Sequence, residues 1–104
     1  LPIGGNHIPE LQDRYVITSN RESCFGRYYI MLEPKEKGRD AFLIEFKVAR
    51  ADRGETLEDA VRSALDQIEK MQYEIALRSR GIAPEQIRKY GFAFEGKKVL
   101  IGEE

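Results

Sequence analysis

The sequence is short of the side chains that most often announce chemistry. It has one cysteine, Cys24, one histidine, His7, and no tryptophan. A lone cysteine excludes an internal disulfide and suits a reducing compartment, so a cytoplasmic location is expected. The lone histidine lies in a Gly/Pro-rich opening, "LPIGGNHIPE". That excludes a His-pair zinc site and speaks against a Ser-His-Asp arrangement. No apolar run approaches the roughly 20 residues of a membrane-spanning helix, and no signal peptide is expected. No membrane partner is expected. An excess of either charge is also missing: 17 basic and 18 acidic residues leave a formal net charge of −1. Without a global positive field, any phosphate-binding face must be local. Arg78, Arg80, Arg88, Lys89, Lys97 and Lys98 gather late in the chain, either as such a face or as a solvated surface and helix end.

What is present suits one globular domain. The chain has 104 residues, 34% charged and 10% aromatic, enough for a core without staples. Residues 1–12 read as leader or cloning scar, without period, and Leu1 in place of Met marks a fragment, a processed chain or such a scar. Residues 13–104 read as the domain. "RYVITS" (14–19) alternates and is rich in β-formers, which predicts a strand. "NRESCFG" turns the chain, and "RYYIML" (27–32) predicts a second strand, stopped by Pro34. After the charged loop "EPKEKGRD", "AFLIEFKV" (41–48) is apolar nearly throughout and predicts a central third strand.

Thr56 with Asp59 approximates a capping box and opens a long amphipathic helix. Its apolar residues recur every three or four, with Val61, Leu65, Ile68, Met71 and Ile75 as the expected buried stripe. The pattern runs to about Ser79 and is stopped by Gly81. "APEQI" adds a turn opened by Pro84, and two short strands flank "EGKK". The order is β-β-β-α-β-β. An α/β (α+β) fold follows, with a mixed sheet built from a three-stranded meander, one long crossover helix and one or two further strands.

The third strand raises a chemical question. Glu45 and Lys47 are two apart, so they share a face between the apolar Ile44, Phe46 and Val48. They are either an ordinary ion pair on a wet face or part of a metal site. The meander, the Glu-x-Lys and the crossover helix resemble the PD-(D/E)XK nuclease superfamily. "SNRESCFGRYYIML", "FLIEFKV", "ALDQIEKMQY" and "KYGFAFEGKKV" look, in order and spacing, like its uncharacterised branch found behind an AAA-ATPase-like domain. The resemblance covers residues 14–100 and implies a restriction-endonuclease-like core and Mg²⁺- or Mn²⁺-dependent phosphodiester hydrolysis. It also implies nucleic acid as partner and an upstream ATPase-like domain.

The metal's task there is to neutralise developing charge and to acidify a bound water. The resemblance gives Glu45 and the Phe46 backbone carbonyl to the metal and Lys47 to the attacking water and phosphate. Gln67 matches a position facing the active site, although a mid-helix Gln is also simply exposed. The metal-binding Asp is where the chain departs from the pattern: "GRYYI" puts Tyr29 there. A phenol, neutral at pH 7, is a poor magnesium ligand, so a weakened or inactive nuclease is expected. Glu33 shares the face of Tyr29 but lies too far along the strand to replace the Asp, whereas Glu22 can approach through its loop. Arg21, Arg27 and Lys97 are candidate nucleic-acid contacts. The alternative is a catalytically degenerate nuclease fold kept as a nucleic-acid or protein-binding module. A homodimer covering one sheet face is a further expectation, because large apolar patches are uncommon on monomers.

Overall fold

The computed structural model describes residues 11–21 and 27–104. His7, Glu22 and Cys24 lie outside the described residues. A single helical turn, α1 (Leu11–Arg14), precedes the sheet and begins inside the stretch read as leader. Leu and Gln are good helix formers, and the turn ends where the β-rich run starts. Five strands follow: β1 (Tyr15–Arg21), β2 (Arg27–Pro34), β3 (Ala41–Val48), β4 (Ile87–Glu95) and β5 (Lys98–Glu103). They form one sheet in sequence order. β3 and β4 are parallel and every other pair is antiparallel. The mixed sheet with its crossover helix is the α+β, restriction-endonuclease-like arrangement. At nine residues, β4 is longer than the short strand expected.

The crossover helix α2 (Leu57–Met71) opens on a complete capping box. Asp59 N–H donates to Thr56 Oγ1 at 3.0 Å, and Thr56 N–H donates to Asp59 Oδ2 at 3.1 Å. Two amide donors at the helix start are thereby satisfied. The helix does not run on to Ser79 as its periodicity suggests. Gln72 takes the left-handed conformation (φ 54°, ψ 42°), and a second helix, α3 (Glu74–Ser79), starts afresh. The break resets the phase of the apolar stripe. Met71 and Ile75, expected to be buried, are 50% and 55% exposed, while Leu77 is fully buried. α3 ends in a Schellman motif: Ile82 N–H donates to Leu77 O, Gly81 N–H donates to Arg78 O, and Gly81 sits at φ +93°.

Both helices pack on one sheet face. Met31, Ala41, Leu43 and Ile87 meet Ile68 and Leu77 in one cluster, and Ala49 and Ala93 meet Ala60 and Val61 in another. α2 lies over β3, β4 and β5, and two glycines admit it. A Cβ on Gly91 would lie 3.0 Å from the Val61 carbonyl oxygen, and one on Gly102 would lie 2.4 Å from Val61 Cγ1. The opposite face is aromatic and half-exposed among the described residues. There Tyr28 stacks on Phe46 (centroids 4.5 Å apart, 9° between planes), and Phe46 also meets Phe92 and Phe94. No helix among the described residues is long and apolar enough to cross a membrane.

Candidate functional site

Register builds the site. Along the helix-covered face, Asn20, Tyr29, Glu45, Gly91 and Gly102 form one row across all five strands. The next row holds Arg27, Lys47, Ala93 and Leu100. Tyr29 is the direct cross-strand partner of Glu45, as Arg27 is of Lys47. Period-two alternation in β3 gives Ala41, Leu43, Glu45 and Lys47 to the covered side and the Phe46 ring to the other. Only the backbone of Phe46 is therefore on offer to the site.

Glu45 is fully buried and Lys47 is 8% exposed. A buried ammonium needs an acid, and Glu55 supplies it. Lys47 Nζ donates to Glu55 Oε2 at 2.5 Å, while Glu55 Oε1 accepts from the Arg50 backbone N–H at 2.7 Å. Burial alone would raise the Glu55 carboxyl, but the Lys47 and Arg50 hydrogen bonds outweigh it and hold the group below the usual carboxylate value. Glu55 ends a short connection holding the 3₁₀ turn Ala51–Arg53, which brings the chain back over the end of β3. Sequence reasoning missed this residue. Its signal was weak: an acid eight positions after a buried Lys, in a loop where other acids are solvated.

Tyr29 faces an aromatic partner. Its ring stacks on Tyr73, with centroids 4.2 Å apart and 23° between planes. Tyr73 stands at the start of α3, directly after the backbone break at Gln72. Its hydroxyl is buried, with no hydrogen-bond partner among the described residues. Gln67 is half-buried, one turn beyond Ser63 on α2. Ser63 Oγ accepts from Arg27 Nη2 at 2.5 Å, which draws Arg27 toward the helix. Arg21 pairs through its backbone with Tyr28 at the end of β1, and its side chain lies outside the described residues. Lys97 is exposed in the β4–β5 turn. The late basic residues do not form one patch. Arg80 pairs with Glu33, Arg88 with Asp40 and Glu103, and Lys89 with Glu69 and Glu74.

The described residues do not fit a magnesium ion. Mg²⁺ takes oxygen ligands in an octahedron and keeps several waters. Glu45 is closed off from solvent, and its cross-strand neighbour is a stacked phenol. Among the described residues, no three His, Cys, Asp or Glu side chains gather into a metal-binding group.

A sequence model of the PD-(D/E)XK nuclease superfamily matches residues 7–104. The chain belongs to that superfamily, whose members generally depend on a divalent metal. No curated protein and no solved structure matches it.

Proposed function

We propose that this domain is a nuclease fold in which metal-dependent phosphodiester hydrolysis is lost or strongly weakened, and which serves to bind nucleic acid. The observation that carries the reading is the pairing of Tyr29 with Glu45. Where the family pattern has a second metal-binding carboxylate, this chain puts a phenol ring stacked on Tyr73. One carboxylate beside one ammonium gives a divalent ion little reason to leave water. Lys47, whose role in the family is at the phosphate, is held by Glu55 instead.

A second reading, slow Mg²⁺- or Mn²⁺-dependent cleavage with Glu22 as the replacement acid, draws on Glu45 and Lys47 remaining side by side on the covered face. A fluorogenic oligonucleotide assay with Mg²⁺ or Mn²⁺ separates the two. The expected result is no metal-dependent cleavage by the wild type. Cleavage that needs metal and disappears in Glu45→Ala overturns the reading.

A further inference from the structure

Cations collect at one corner of the fold. A pocket of about 180 Å³ is lined by Arg27, Lys47, Val48, Arg50 and Arg53. It lies at the carboxyl end of β3, where the chain leaves the sheet for the crossover helix, and β4 runs parallel beside it. In open α/β sheets that end of the strands is where ligands bind. Two of its cations have acidic partners: Lys47 with Glu55, and Arg50 with Asp52 at 3.3 Å. The other two do not. Arg27 donates to the neutral Ser63, and Arg53 forms no direct ion pair among the described residues, although its charge helps to hold the Asp52 carboxyl low. Asp59 is also near, but it is committed to Thr56 and balanced by Arg62. Among the described residues the pocket lining holds four cations and no acid, in a chain whose net charge is −1.

The geometry points to a phosphate site: the guanidiniums of Arg27, Arg50 and Arg53 take one phosphate group of a nucleic-acid backbone, with Lys47 behind them. Guanidinium forks match phosphate oxygens. The cavity has room for a phosphate group. Val48, 45% exposed, forms the pocket's apolar wall and belongs to the same sheet face as the Tyr28–Phe46 stack. The proposal rests on the nucleic-acid reading above and is independent of hydrolysis.

The test is anisotropy of a labelled single-stranded oligonucleotide in EDTA, over a salt series, with wild type, Arg53→Gln, Arg50→Gln/Arg53→Gln, Arg27→Gln and Lys97→Gln. Arg50 and Arg53 lie outside the core, and melting curves confirm that each variant folds. Losing one phosphate contact should lower the slope of log K against log salt by about 0.7 for a single strand. The expected result is weaker binding and a flatter slope for every Arg variant, with Lys97→Gln unchanged. Binding that persists undiminished in all Arg variants overturns the pocket and leaves the nucleic-acid reading standing. Equal loss in Lys97→Gln shows diffuse attraction and also overturns it. No oligonucleotide binding at all overturns both. Amide shifts of residues 48–53 with inorganic phosphate, but none with oligonucleotide, assign the pocket to a free phosphate and overturn the backbone claim.

Discussion

Removing Glu55 should destabilise the fold far more than removing any other loop acid. Glu55→Ala leaves the Lys47 ammonium without its counter-ion and the Arg50 N–H without its acceptor. Breaking a fully buried pair costs about 3–5 kcal/mol, and an exposed pair contributes only about 0.2–1 kcal/mol. The two side chains here are 10% and 21% exposed, which places the pair nearer the buried limit. A loss of about 2–3 kcal/mol follows, of which the orphaned amide accounts for roughly 1 kcal/mol. Urea denaturation at pH 7 measures it, and a double-mutant cycle with Lys47→Met isolates the pair. The pH dependence gives a second handle. The folded carboxyl lies below its usual value of about 4.5. The stabilisation is therefore complete above that value and is lost as pH falls through the lower folded value. The gap between wild type and Glu55→Ala should narrow over that acidic range. A loss under about 0.5 kcal/mol, with no coupling in the cycle, would refute the argument, since that is the behaviour of a solvated pair.

The helix break yields a paired prediction. Leu77→Ala should cost about 2–5 kcal/mol as a large-to-small change in the core, whereas Ile75→Ala, on an exposed site, should stay within about 0.5 kcal/mol; equal costs in denaturation would restore one continuous buried stripe. The aromatic sheet face gives the other. Five strands about 4.8 Å apart and eight residues of about 3.3 Å each span roughly 600 Å², close to the ~800 Å² that each partner of a standard interface buries. A second copy of the chain is the occupant expected, so light scattering at high concentration should give a dimer mass that Tyr28→Glu lowers. A monomer mass for the wild type ends that expectation.

The elements that sequence pattern located best are those whose chemistry is local. β3 spans Ala41–Val48 as expected because its apolar run is bounded by turn residues on both sides. The start of α2 follows from two side chains, Thr56 and Asp59, that bond the backbone three residues away. The break at Gln72 carried no such mark. Glutamine is an ordinary helix former, and the three-and-four spacing continues through it to Ile75. Only the tertiary docking of Leu77 and Tyr73 against the sheet makes the left-handed turn worthwhile. The candidate site divides in the same way. The common face of Tyr29 and Glu45 follows from alternation plus the antiparallel meander. The Tyr29–Tyr73 stack and the Lys47–Glu55 pair join residues 44 and 8 positions apart through the fold, and no local period encodes them.

If Tyr29 disables a metal site, Tyr29→Asp should restore it. The substitution sets a carboxylate opposite Glu45, where cross-strand Cβ atoms lie about 4.5–5.5 Å apart, close enough for both acids to reach one ion. Without metal the variant should melt below wild type. The aromatic stack, of the order of 0.5–1.5 kcal/mol, is lost, and two neighbouring carboxylates repel. With metal at ten times its Kd, binding returns about 1.4 kcal/mol, which raises Tm by about 6–11 °C in a domain of this size. Melting curves of wild type and Tyr29→Asp, with and without millimolar Mg²⁺ or Mn²⁺, make the measurement. A metal-dependent rise in Tm is expected for Tyr29→Asp and none for wild type. A variant that melts identically with and without metal, or a wild type that metal stabilises through Glu45, would contradict it.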